Sequence, residues 1–133
     1  MLESAPEPVA ETEVLIVEDE DSVRAAIEAG LDVIGGFKII SATGAEEGLR
    51  YLESNSPEIL LLDLVMPTVD GMEFLSRLGS SAQYSKPAKV VLMTAMENPV
   101  PEGNLKDLGI DLVLSKPFRL TELAEAVGRE SPF

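Results

Sequence analysis

Acidic, hydroxyl and basic side chains stand at the ends of apolar runs in this sequence of 133 residues. Glu18 and Asp19 directly follow the first apolar run, and Asp63 ends a central one. Thr94 and Lys116 close two later runs. Carboxyl ends of parallel strands share one edge of a sheet, where open α/β proteins carry out their chemistry. We therefore expect these five side chains to lie together.

Such a set of side chains suits phosphoryl transfer. Carboxylates that lie close together raise one another's pKa, and a hard divalent cation with oxygen ligands relieves the repulsion. Mg²⁺ is the expected ion, because it takes one or two carboxylates and keeps several waters. Lys116 would supply positive charge to phosphoryl oxygens, Thr94 a hydrogen bond, and Asp63 the nucleophile that forms an aspartyl phosphate.

Each residue also has an ordinary structural explanation. Glu18 and Asp19 could cap the first helix, Asp63 could be a turn residue, Thr94 could end a strand and Lys116 could be a surface charge. These explanations would have to coincide at four strand ends, so the combined pattern favours a site.

Strands and helices alternate along the chain in the predicted secondary structure. Continuous apolar runs predict buried strands, and apolar residues at three- and four-residue spacing predict helices. The predicted strands are Glu13–Val17, Phe37–Ala42, Leu60–Asp63, Lys89–Met93 and Gly109–Leu114. The predicted helices are Ser22–Ile34, Ala45–Leu52, Gly71–Leu78, Glu102–Leu108 and Leu120–Val127.

This alternation predicts an α/β fold with a doubly wound, five-stranded parallel sheet, flavodoxin-like, in the strand order 2-1-3-4-5, with helices on both faces. The fourth helix should be short or irregular, because Pro99, Pro101 and Gly103 crowd its start. Residues 1–12 are expected to form a flexible acidic tail, and residues 13–130 the folded domain.

Composition excludes several classes of function. The sequence has no cysteine and no histidine, which rules out disulfides, thiolate or histidine metal sites, serine–histidine hydrolysis and a phosphohistidine carrier. A net charge of −14 argues against binding to nucleic acid or to anionic membranes, and favours a partner with a basic patch. No run has membrane-spanning length and no signal peptide is evident, so a cytoplasmic protein is expected.

Five motifs together resemble the receiver domain of two-component response regulators. They are LIVEDE at 15–20, LDLVMP at 62–67, DG at 70–71, MTA at 93–95 and KPF at 116–118. The resemblance covers about Glu13 to Arg129. It implies that Asp63 is the phosphoacceptor, that Asp19 and Asp63 bind Mg²⁺ directly, that Glu18 acts through a metal-bound water, and that the Val65 carbonyl is a further ligand.

The same resemblance assigns Thr94 and Lys116 to the phosphoryl oxygens and implies a cis peptide bond before Pro117. The phosphoryl donor would be a phosphohistidine of a sensor histidine kinase or a histidine phosphotransfer protein, which docks on the first helix and the loop after the fifth strand. The domain would not be an enzyme beyond its own phosphorylation and dephosphorylation. A downstream effector is implied but not identified, and the chain could be a stand-alone receiver or part of a longer protein.

Two departures from the family pattern matter. Val113 stands three residues before the lysine, where receivers usually carry Tyr or Phe, and the fourth helix is weakened by its prolines and glycine. Both favour the alternative, a pseudo-receiver scaffold that binds partners without phosphorylation. Separately, Val65 and Met96 occupy the positions that flank the attacking water in this family, and both are apolar, which predicts slow self-hydrolysis. A small-molecule phosphatase is a third possibility, but it would need a second general acid and a substrate cap.

Overall fold

A five-stranded parallel sheet forms the centre of the protein in a computed structural model that describes residues 11–95 and 102–129. Its strands are β1 (Thr12–Val17), β2 (Phe37–Ala42), β3 (Ile59–Asp63), β4 (Lys89–Ala95) and β5 (Leu112–Lys116). The strand order is β2-β1-β3-β4-β5, which confirms the predicted topology. Most of the acidic tail predicted for residues 1–12 lies outside the described residues.

Four helices flank the sheet within the described ranges: α1 (Asp21–Ile34), α2 (Ala45–Ser54), α3 (Gly71–Ser80) and α4 (Leu120–Ala126). None of them is long and apolar enough to cross a membrane.

Two apolar layers, one on each face of the sheet, hold the helices in place. Alternate residues of a strand point to opposite faces, so Leu15 packs with α2 and α3 while Ile16 packs with α1 and α4. Every residue of β3 is buried, as its continuous apolar sequence predicts for a central parallel strand. Packing in the two layers holds the strands in place relative to one another. It therefore also sets the position of the polar residues at the strand ends.

The prediction of a helix at Glu102–Leu108 is wrong. Residues 102–109 form bends and turns, in which the Asn104 side chain accepts a hydrogen bond from the Lys106 backbone at 2.9 Å. Gly103 and Gly109 have φ angles of 108° and 83°, which no residue of a right-handed helix adopts. The leucines at helical spacing, Leu105 and Leu108, still pack against the core.

The fifth strand begins later than predicted, at Leu112 rather than Gly109. The residue before it, Asp111, is tied to the start of β4 at Val90 by two hydrogen bonds. Its side chain accepts from the Val90 amide at 2.8 Å, and its own amide donates to the Val90 carbonyl at 2.9 Å. This anchor sets the register that places Lys116 at the end of β5.

Candidate functional site

The acidic residues come together because β1 and β3 are adjacent and in register. Val17 pairs with Leu62, so Glu18 emerges level with Asp63. Carboxylate oxygens of Glu18, Asp19 and Asp63 all lie within 4.8 Å of one another. The N-cap of the first helix is Glu20, which makes no side-chain capping bond. Glu18 and Asp19 precede the cap, and Glu18 Oε2 accepts a long hydrogen bond from the Glu20 amide at 3.4 Å.

Lys116 reaches the acids from the edge strand β5, across β4. Its Nζ donates to Glu18 Oε1 at 2.6 Å and to Asp63 Oδ1 at 2.9 Å. Only 18% of its side chain is exposed, so this lysine is not a surface charge. The Lys116–Pro117 peptide bond is cis, as the resemblance implied.

Burial controls the electrostatics of this group. Glu18 is fully buried, and burial raises its pKa from 4.5 to about 7. The hydrogen bond from Lys116 lowers that pKa, whereas neighbouring Asp63 raises it. For Lys116 itself, burial would lower the pKa, but hydrogen bonds to the two acids raise it above its ordinary value. The lysine is therefore held in its charged form between acids that repel each other.

The other two predicted site residues, Thr94 and Val65, belong to the neighbouring strands β4 and β3 or to the loop that follows. Thr94 is buried near the end of β4, one residue beyond Met93, which pairs with Asp63. Its hydroxyl donates to the Ala95 carbonyl at 3.2 Å. Val65 lies two residues after Asp63 and is 54% exposed, so this part of the loop is open to solvent.

Gly71, at the start of α3, packs against the backbone of the site. From the sequence, this glycine was interpreted only as part of a turn. A Cβ atom on Gly71 would lie 2.7 Å from the carbonyl oxygen of Asp63 and 3.0 Å from Leu64 Cα. The Gly71 amide also donates to the Leu64 carbonyl at 2.9 Å. The Asp70 side chain caps α3 by accepting from the Glu73 amide at 2.8 Å. The Asp-Gly pair was the only signal in the sequence for this close approach.

The donor set fits a hard divalent cation. Glu18, Asp19 and Asp63 each offer one carboxylate oxygen within the 4.8 Å cluster, and carboxylate oxygens are the ligands that Mg²⁺ and Ca²⁺ prefer. Among the described residues, Lys116 is the only cation within hydrogen-bonding distance of the three carboxylate groups, and it contacts those of Glu18 and Asp63. An ion bound there would offset the remaining negative charge.

A cleft of about 460 Å³ opens beside Lys116, between α1 and the residues that follow β5. Sequence reasoning expected most of the α1 stripe to be core, and Ile27 and Leu31 are indeed fully buried. Ala26 is exposed, however, and together with half-buried Val23 it faces the cleft. The lining residues are Glu20, Ser22, Val23, Ala26, Ala95, Lys116, Pro117 and Phe118.

Comparison with known proteins identifies the family. A family model described as "Response regulator receiver domain" matches residues 14–128. The chain belongs to this family. The receiver is 37% identical over 123 residues to the response regulator Rre1 of Synechocystis sp., covering 92% of this chain and 51% of the relative. It is 36% identical over 112 residues to the KDP operon transcriptional regulatory protein KdpE of Escherichia coli. This match covers 84% of this chain and 48% of the relative.

Solved structures agree with the receiver fold. The chemotaxis protein CheY4 of Vibrio cholerae matches with a TM-score of 0.77 and 25% identity, over 89% of this chain and 97% of that one. A CheY-like receiver domain of Methanospirillum hungatei matches with a TM-score of 0.71 and 29% identity, over 85% and 88%. The receiver thus accounts for nearly all of these two chains, but it spans about half the length of the curated relatives above.

Proposed function

We propose that this receiver accepts a phosphoryl group on Asp63, with Mg²⁺, from a phosphohistidine on a partner protein. One observation carries the proposal: Lys116 Nζ lies 2.9 Å from Asp63 Oδ1, inside a cluster of three carboxylates that suits a divalent cation. Glu18, Asp19, Asp63 and the backbone carbonyl of Val65 are the proposed metal ligands. The proposed domain comprises residues 13–130.

In the proposed reaction, a carboxylate oxygen of Asp63 attacks the phosphorus atom of the donor. A P–O bond forms as the P–N bond breaks, and the electron pair of that bond remains on the imidazole nitrogen, which then takes a proton from solvent. Lys116 balances negative charge on the phosphoryl oxygens, and Thr94 offers them a hydrogen bond. When bound, Mg²⁺ would neutralise part of the same negative charge.

The donor histidine must lie outside this chain, because the chain contains no histidine. We propose a sensor histidine kinase or a histidine phosphotransfer protein that docks over the cleft beside Lys116. Val23, Ala26 and Phe118 give this cleft an apolar lining, while Glu20 adds negative charge. A donor with an apolar side chain and neighbouring basic residues would complement it.

Phosphorylation would change the charge balance of a nearly buried site. The phosphoryl group carries roughly −1.5 to −2 charges in place of the single negative charge of the Asp63 carboxylate, so the contacts of Lys116 with Glu18 and Asp63 must rearrange. We propose that this rearrangement alters the interaction surface seen by a downstream effector. The named relatives are response regulators, which supports an output of this kind.

Acetyl phosphate tests the proposal directly. Wild-type protein incubated with acetyl phosphate and Mg²⁺ is expected to gain the mass of one phosphoryl group, measured on the intact protein. Chelation of Mg²⁺ or the substitution Asp63→Asn should abolish the gain, because each removes a component of the reaction. Asp32→Asn, which alters an exposed aspartate of α1, is the matched control and should behave like wild type.

The alternative is a pseudo-receiver that acts as a scaffold without phosphorylation. It is favoured by Val113, a partly buried residue without a ring, at the position where receivers usually carry an aromatic side chain. If the wild-type protein gains no phosphoryl mass, the result would support the scaffold. A gain of phosphoryl mass by Asp63→Asn would instead show that another residue is the acceptor.

Self-hydrolysis of the phosphorylated protein is expected to be slow. Val65 is exposed beside the site and apolar, so it cannot orient an attacking water, and apolar Met96 lies outside the described residues. The double substitution Val65→Asn and Met96→Glu should speed phosphate release several-fold, because polar groups can position water. Decay of the phosphorylated mass with time measures this, and an unchanged rate would contradict the prediction.

A further inference from the structure

Arg24 of α1 bridges the acidic loop that joins β1 to α1. Its Nη1 donates to the backbone carbonyl of Glu18 at 2.8 Å, and its Nη2 donates to the Asp21 carboxylate. The Arg24 side chain is only 14% exposed. Its own amide donates to the Glu20 carbonyl at 3.0 Å. One guanidinium thus joins the first residue of the loop to the start of the helix.

The bond to Glu18 controls the direction of the next residue, Asp19. The Glu18 carbonyl and the Asp19 amide belong to one planar peptide unit, so fixing the carbonyl fixes the plane from which Asp19 departs. The other side of Glu18 is held as well, since its amide donates to the Ala42 carbonyl at 3.2 Å. Among the described residues, no hydrogen bond holds the Asp19 carboxylate itself, so its placement depends on the backbone.

We propose that Arg24 is a positioning residue for metal binding: it holds the loop backbone so that Asp19 lies beside Asp63. This inference rests on the proposed function, since it concerns the same Mg²⁺ site. Arg24 does not touch Asp63 or the proposed phosphoryl position in the described contacts. It acts through the Glu18–Asp19 peptide unit.

Electrostatics alone predicts the opposite result. A guanidinium bonded to the Glu18 backbone repels a cation that approaches the neighbouring carboxylates, so its removal would strengthen Mg²⁺ binding. If positioning dominates, removal weakens binding. The sign of the change therefore distinguishes the two effects.

Calorimetric titration with MgCl₂ measures this sign. We expect Arg24→Gln and Arg24→Lys each to bind Mg²⁺ about tenfold more weakly than wild type, the usual cost of losing a partner that orients a metal ligand. Lysine keeps the charge, but its single ammonium lacks the rigid fork that contacts both acceptors. Arg77→Gln is the matched control, because Arg77 pairs with Glu46 and Glu73 on α2 and α3 and leaves the loop unchanged.

Two further measurements separate positioning from general stability. With acetyl phosphate, the Mg²⁺ concentration for half-maximal labelling should rise about tenfold, while the rate at saturating Mg²⁺ stays at the wild-type level. Without metal, the amide resonance of Asp19 should shift in Arg24→Gln, and that of Asp70 in the loop after β3 should not.

Several results would overturn the inference. Tighter Mg²⁺ binding by Arg24→Gln would show that electrostatic repulsion dominates, and unchanged binding would show that Arg24 does not position Asp19. A reduced rate at saturating Mg²⁺ together with a lower melting temperature would show a merely structural role. If wild type fails to bind Mg²⁺, the proposed function fails along with this inference. If wild type binds and the variants match it, only the inference fails.

Discussion

Replacing Gly71 with alanine is expected to lower the free energy of unfolding by about 2–3 kcal/mol and to impair phosphorylation of Asp63. The added Cβ would lie 2.7 Å from the Asp63 carbonyl oxygen and 3.0 Å from Leu64 Cα. Both are backbone atoms, which cannot move aside as the end of a side chain can. Relief of the clash must therefore displace the residue that we propose as the phosphoacceptor. Urea denaturation measures the stability, and labelling by acetyl phosphate measures the reaction.

Gly79 provides a control within the same helix. Apart from its chain neighbours and the backbone of its own helix, no described residue has an atom within 4 Å of a Cβ built at Gly79. Gly79→Ala should therefore be neutral or stabilise the protein by up to about 1 kcal/mol. Its labelling should equal that of wild type. If Gly71→Ala matches Gly79→Ala in both stability and labelling, the packing explanation is wrong.

The second large effect concerns Glu18 and pH. Its pKa of about 7 in the folded protein exceeds the ordinary value of 4.5, so the folded state binds this proton more tightly than the unfolded state does. The stabilisation from protonation is complete below the unfolded pKa of 4.5 and is lost as the pH rises through about 7. At alkaline pH the ionised, buried Glu18 costs about 3 kcal/mol.

Glu18→Gln is therefore expected to be more stable than wild type at neutral and alkaline pH when metal is chelated. The difference in unfolding free energy should grow by about 2–3 kcal/mol between about pH 5 and about pH 8. Denaturant titrations of both proteins across this range report the titration of Glu18 together with its coupling to Asp63 and Lys116, because the more distant titrating groups are common to both. A constant difference between wild type and Glu18→Gln would contradict the raised pKa.

The strands and the residues at their ends could be read from the sequence because both depend on local pattern. Apolar runs gave the buried strands, and the rules for parallel α/β sheets then gave the strand order. Placing Glu18, Asp63 and Lys116 at one edge required only that order. The same reasoning could not give the contacts themselves, since the bond from Lys116 to Glu18 joins residues that are 98 positions apart.

The errors arose where backbone geometry outweighs side-chain pattern. Leu105 and Leu108 have helical spacing and are partly buried, but positive φ angles at Gly103 and Gly109 keep the segment in turns. The roles of Gly71 and Arg24 were also missed. One depends on a distance between backbone atoms and the other on a bond to a carbonyl, and neither leaves a periodic signal in the sequence.

The position of Lys116 on β5 makes the mechanical support of the site uneven. Glu18 and Asp63 adjoin β1 and β3, which have hydrogen-bonded neighbours on both sides, whereas β5 pairs only with β4 among the described strands. The backbone that carries the ammonium is therefore expected to open more readily than the backbone that carries the carboxylates, because an edge strand is paired on one side only.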